Sequence, residues 1–160
     1  MRRKDREITD TKTIEEIIRK CKVCHVAMVD EGIPYVVPLN FGCHFAGDGS
    51  LELYFHSAKE GKKLDILRKN HSVCFEISCE GETVVSEPVC RSGCSYASVI
   101  GYGEVIFLEE NADKCNALTI LFAHQTGKKV CFEKKQAESV CVFKIVSRNY
   151  TGKRRLLDIN

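Results

Sequence analysis

Between residues 23 and 57 the chain alternates apolar and polar positions in short runs broken by turn residues. That period of two fits strands in hairpin order and not helices. Val23-Cys24-His25-Val26-Ala27-Met28-Val29 reads as one strand. Asp30-Glu31-Gly32 is a turn signal, and a second strand follows over 34–41. Another turn, Ala46-Gly47-Asp48-Gly49, leads to a third strand, Leu51-Glu52-Leu53-Tyr54-Phe55-His56. Strands joined this closely run antiparallel, so the segment is a β-meander.

The period changes on either side. Residues 13–20 predict a short amphipathic helix, with Thr11 or Thr13 as its cap. Residues 59–69 set Leu64, Ile66 and Leu67 among lysines and predict a second helix that ends at Asn70. Residues 73–78 return to strand character, and the polar, irregular 80–95 read as a loop. Residues 98–108 predict a long strand, in which Gly101 and Gly103 mark a bend or bulge. A third helix over 111–124 carries Leu118, Leu121 and Phe122; a last strand at 140–146 precedes a basic tail at 151–155. Six strands and three helices in this order give a mainly β fold, a closed or half-closed barrel with peripheral helices. At 160 residues the chain is expected to be a single domain over 1–160.

Charge narrows the functional classes. Lys and Arg number 24 against 22 Asp and Glu, a net charge of +2. So small an excess calls for neither nucleic acid nor an anionic membrane as partner. The opening Met-Arg-Arg-Lys-Asp-Arg-Glu is followed by no apolar run, and no stretch approaches the length of a membrane span. The expected location is the cytoplasm. In that reducing setting the ten cysteines read as free thiols acting as small hydrophobes. Runs such as Val73-Cys74-Phe75 and Val140-Cys141-Val142 support this.

Two segments carry chemistry. In Leu53-Tyr54-Phe55-His56-Ser57-Ala58-Lys59-Glu60-Gly61-Lys62-Lys63 a strand delivers a His and a Ser, and two lysines then open a helix. A helix start favours anions through its free N–H groups and dipole, so a hydroxyl and two ammonium groups there suit a phosphate. The plain alternative is a pair of solvated surface lysines. In Pro34-Tyr35-Val36-Val37-Pro38-Leu39-Asn40-Phe41, Pro38 marks an edge strand, which leaves main-chain groups of Leu39 and Asn40 open to a planar ligand. The plain alternative is an edge strand with no ligand.

These two segments, with Ser98-Val99-Ile100-Gly101 and Gly103 and the opening run, cover almost the whole chain in order. Together they resemble the pyridoxamine-phosphate-oxidase-like flavoproteins, and among them the nitroimidazole-resistance (Nim-type) proteins. The resemblance implies an FMN-binding split barrel that forms a homodimer with an FMN in each of two interface clefts. It implies that Val37, Pro38, Leu39 and Asn40 line the flavin ring. Phe55, His56, Ser57 and Ala58 would contact ring and ribityl chain, Lys62 and Lys63 would take the phosphate, and Ser98 and Val99 would add a further wall. His56 is the candidate proton donor to substrate. One departure is Ala97, where relatives often carry Arg.

Other motifs compete. Cys21-Lys22-Val23-Cys24-His25 matches the attachment pattern of c-type haem, but in a strand Cys24 and His25 point to opposite faces. Cys21, Cys24, Cys90 and Cys94 would supply four thiolates to zinc, without support from the long separation between the pairs; the expectation is no metal. A redox Cys-x-x-Cys lacks a surrounding βαβ pattern. The reading is therefore an FMN-dependent oxidoreductase that reduces a small-molecule substrate stacked on the flavin. The alternative is a flavin- or haem-binding protein of the same fold without dedicated turnover.

Overall fold

A computed structural model describes residues 3–156, so Met1 and Arg2 of the opening run lie outside the described residues. After a 3-10 turn at Lys4–Arg6, the elements are β1 (Glu7–Ile8), α1 (Thr11–Lys20), β2 (Val23–Asp30), β3 (Ile33–Asn40), β4 (Gly42–Phe45) and β5 (Leu51–Ser57). Then follow α2 (Lys62–Lys69), β6 (Ser72–Val84), β7 (Gly93–Phe107), α3 (Asn111–Thr126), α4 (Lys134–Glu138) and β8 (Cys141–Arg155).

The meander forms as its turns dictate. β2 and β3 pair antiparallel from Val23↔Asn40 to Asp30↔Ile33, leaving a two-residue loop of Glu31 and Gly32. Both loop residues have positive φ, 50° and 88°, the twist that lets so short a connection join two strands. α1 begins where Asp10 accepts bonds from the Thr13 N–H (2.9 Å) and the Thr13 hydroxyl (2.6 Å). The cap is thus Asp10, not Thr11 or Thr13.

The strands form one antiparallel sheet in the order β3-β2-β6-β7-β8-β5-β4, with β1 against β8. β3 and β4 are its opposite edges, yet one residue, Phe41, separates them in the chain. The sheet must curl until its edges meet there. It is closed at Phe41 and split where β3 departs, which makes it a split barrel. α3 lies across the closure: a Cβ on Gly42 would sit 2.5 Å from the Leu121 Cα, so only glycine permits this approach.

Three expectations change. The segment 80–95 is not a loop but the end of a hairpin, with Thr83 opposite Cys94 and Val84 opposite Gly93. Its arms are largely exposed, so no apolar alternation betrays them. The basic tail is the end of β8, paired with β7 as far as Tyr96↔Arg155. The ladder needs only main-chain groups, which polar residues supply as well as apolar ones. The ten cysteines are not all free, since Cys21 and Cys79 are joined in a disulfide. The expected irregularity at Gly101 and Gly103 is present as a slip of the β7–β8 register between Tyr102 and Glu104.

The barrel interior holds Phe41, Phe55, Phe75 and Phe143 with Leu51, Leu53 and Ile145, all fully buried. A second cluster lies under α3 and α4, made of Tyr54, Ala117, Leu118, Ala137 and Val142.

Candidate functional site

The split in the barrel sets the site. β3 is an edge strand, so one side of its backbone is unpaired. Its side chains alternate: Val37 and Leu39 pack against the core, while Pro38 and Asn40 face out. β4 pairs with β5 from Gly42↔Tyr54. Past this ladder β5 runs on through Phe55 and His56 to Ser57. Asn40, at the end of β3, and His56, on β5, are both exposed.

Asn40 is held from behind. Its Nδ2 donates to the Lys22 carbonyl (3.0 Å) and to Gln125 Oε1 (3.3 Å). Gln125 Nε2 donates in turn to the Phe41 carbonyl (2.7 Å). Gln125, at the end of α3, is a positioning residue that no local pattern marks. His124 beside it stacks near Phe41, with centroids 4.6 Å apart, and burial pushes its imidazole below the usual histidine range.

Along β5, His56 faces out, whereas Phe55 is wholly inside and stacks on Phe143 at 5.2 Å. Val99 is also wholly inside. Phe55 and Val99 can therefore offer a ligand only main-chain atoms. The Ser57 hydroxyl is buried and donates to the Ala58 carbonyl at 2.8 Å.

α2 then starts at Lys62, later than its pattern suggested, with Gly61 as N-cap and no side-chain cap. Its first N–H groups are open to an anion. The two lysines have parted. Lys62 pairs with Asp30 at 3.2 Å and covers the Tyr35 ring at 5.0 Å, while Lys63 is half-buried. Beside them lies a cleft of about 350 Å³ walled by Phe107, Leu108 and Val142, into which Lys59, Arg68 and Lys114 project against Glu109. Arg68 sits 5.9 Å over the Phe107 ring. Burial pushes the half-buried Cys141 thiol up, although Arg68 draws it down.

Ser98 stands apart. The strands β2 and β6 lie between the edge strand β3 and β7, where Ser98 is opposite Ser78. Three strand spacings of about 4.8 Å therefore separate Ser98 from the edge strand. One chain does not bring Ser98 and Val99 to the residues at the split.

The cysteine motifs dissolve in the same geometry. Cys24 is wholly buried, its thiol pushed up by desolvation, while His25 faces out with Nδ1 3.0 Å from Glu76. Cys21 is committed to Cys79, and Cys90 and Cys94 lie exposed at the far hairpin. Among the described residues no three His, Cys, Asp or Glu cluster as metal ligands, and no helix is long and apolar enough to cross a membrane.

Known proteins agree with this architecture. The chain is similar over 92% of its length, at 34% identity and a TM-score of 0.80, to 86% of a candidate 5-nitroimidazole antibiotic resistance protein from Bacteroides thetaiotaomicron. A flavocytochrome from Azotobacter vinelandii shares the fold at TM-score 0.78 and 20% identity, covering 98% of this chain and 72% of that one. An FAD- and haem-binding protein from Mycobacterium smegmatis does so at 0.77 and 19%, covering 93% and 73%. Among curated proteins, none matches this sequence. The family described as pyridoxamine 5'-phosphate oxidase matches residues 10–154, nearly the whole barrel, and the chain belongs to that family.

Proposed function

We propose that this protein is a cytoplasmic FMN-dependent oxidoreductase of the nitroimidazole-reductase type, a single domain that works as a homodimer. The observation that carries the reading is the uncapped start of α2. It presents free N–H groups and Lys63 at the end of the short loop that follows Ser57, and Lys62 reaches across to Tyr35 on the unpaired edge strand. This donor set suits a phosphate whose attached planar ring lies along that edge.

Lys63 and the first amides of α2 hold the phosphate, with Lys62 lending charge through its ion pair. Ser57 and the main chain of Phe55 and Ala58 face the ribityl chain. Val37, Pro38, Leu39 and Asn40 line the ring edge. Ser98 and Val99 of the partner subunit close the cleft, which accounts for their distance from the split within one chain. FMN, when bound, supplies the electron and hydride chemistry that no side chain here offers. His56, exposed at the mouth, orients a small-molecule substrate and gives up a proton to it.

The outer face of β3-β2-β6-β7 fits the dimer contact. Val36, Val29, Ile100 and Tyr102 stand exposed there at 54%, 49%, 45% and 59%, an apolar surface that a lone subunit has no reason to keep. Binding of flavin or haem without turnover is the second reading, favoured by the likeness to the flavocytochrome.

The absorption spectrum of the purified protein and of its heat-released ligand decides. Flavin bands near about 375 and 450 nm belong to the cofactor itself and support the reading. A Soret band moves the case to haem, and a colourless protein that takes up no added FMN overturns it.

A further inference from the structure

Cys21 and Cys79 differ in access. Cys21, at the C-cap of α1, is 5% exposed, whereas Cys79 on β6 is half-buried. Cys79 lines a cleft of about 240 Å³ between the end of α1 and the ends of β6, β7 and β8, and Lys20, Arg154 and Arg155 line it too. The described side chains in its wall carry three positive charges and no negative one. Such a cleft concentrates small anions beside Cys79 in its wall.

The bridge also sits beside the corner that holds the barrel closed. The Cys21 carbonyl accepts from His124 Nε2 at 2.8 Å. The Lys22 carbonyl accepts from both Asn40 Nδ2 and Gln125 Nε2, each at 3.0 Å. Whatever fixes Cys21 therefore fixes the segment on which Asn40 rests. The two Cα atoms lie 6.0 Å apart, within the span a disulfide bridges without moving the backbone.

We propose that Cys21 and Cys79 form a reversible thiol–disulfide site whose cationic cleft admits a small anionic disulfide, such as glutathione disulfide, to Cys79. In the reduced protein the Cys79 thiolate attacks one sulfur of that disulfide. A Cys79–sulfur bond forms, the small disulfide's own bond breaks, and one small thiolate leaves. Cys21, deprotonated, then attacks the Cys79 sulfur and expels the second small thiolate. Two electrons pass from the protein thiols to the reagent, and their two protons end on the released thiols. Excess small thiol runs the steps in reverse.

The test uses the full chain, reduced, freed of reductant and treated with glutathione disulfide, with all cysteines mapped by peptide mass. Wild type should close Cys21–Cys79 through a transient Cys79 adduct, and Cys21→Ser should accumulate that adduct. Arg154→Ala with Arg155→Ala should slow the reaction of Cys79 about tenfold at low salt. The same pair should leave its rate with neutral 2-hydroxyethyl disulfide unchanged. Hydrogen exchange at Asn40–Gly42 should quicken on reduction. If Cys21→Ser does not fold, pulsed alkylation of wild type reports the same order of events. Modification at other cysteines with Cys79 spared, or equal slowing with both reagents, overturns the proposal.

Discussion

The Lys62 ammonium lies 3.2 Å from the Asp30 carboxylate and 5.0 Å from the centre of the Tyr35 ring, which ties the start of α2 to the β2–β3 hairpin. Adjacent helix residues point about 100° apart. Lys63 therefore cannot share this role, and among the described residues its charge meets no carboxylate within ion-pair distance. Lys63→Ala should weaken FMN binding by about 1.5–3 kcal/mol, or roughly tenfold to a hundredfold. Lys62→Ala should cost less, because Asp30 already offsets its charge. Titration of the apoprotein by quenching of FMN fluorescence compares the two. Equal losses would restore the simple lysine pair.

Gly42 meets α3 more closely than any side chain allows. Gly42→Ala would press a methyl group to within 2.5 Å of the Leu121 Cα. Backbone on both sides must then shift, at a cost of about 1–3 kcal/mol. Urea unfolding should show a lower midpoint with an unchanged slope. The sheet closes at this residue, so FMN retention should fall as well. An unaltered midpoint would mean that α3 is free to move away.

The meander was legible because its strands turn every second residue toward the barrel interior. Val26 and Met28 on β2, and Leu51, Leu53 and Phe55 on β5, are core residues spaced by two. β4 escaped because its four residues include Gly42 and follow Asn40 almost directly. The hairpin beyond Ser78 escaped because Glu82, Thr83 and Cys94 are exposed, and its ladder leaves no trace in side-chain pattern. The site divides in the same way. His56, Ser57 and the lysines stand in one local run and could be read together. Arg68 comes from α2, and Lys114 and Gln125 from opposite ends of α3, so only the fold brings them near that run. Nor does spacing alone reveal that Cys21 meets Cys79 across 58 residues.

Glu52 is a partly buried carboxylate whose ionisation is tied to the fold. Burial on its own would raise its pKa, but bonds from Lys144 (2.6 Å) and the Tyr54 hydroxyl (2.5 Å) outweigh that and hold it below the ordinary value. A folded-state pKa below the unfolded one stabilises the fold above the ordinary carboxylate range. That contribution is lost as pH falls through the folded value. Urea midpoints measured from about pH 6 down to about pH 3 should decline less steeply in Glu52→Gln than in wild type. At neutral pH the same variant should be less stable by about 1–3 kcal/mol, since Lys144 loses its charged partner. Parallel acid limbs would assign the decline to other carboxylates.

Val36 and Tyr102 sit on one outward row of the sheet, joined through Ala27 and Cys74 by the strand register. Both are more than half exposed. If this face is the dimer contact, Val36→Glu places a charge in an apolar interface with no partner to satisfy it, which costs several kcal/mol. Sedimentation should then give the 18.0 kDa subunit mass where wild type gives twice that value. FMN should be lost in step, because Ser98 and Val99 of the partner subunit leave the cleft with it. The fold itself should survive, since Val36 faces away from the barrel interior, and an unchanged far-ultraviolet circular dichroism spectrum checks this. An 18.0 kDa species that keeps FMN would place the whole site within one chain. A dimer that persists would move the contact to another face.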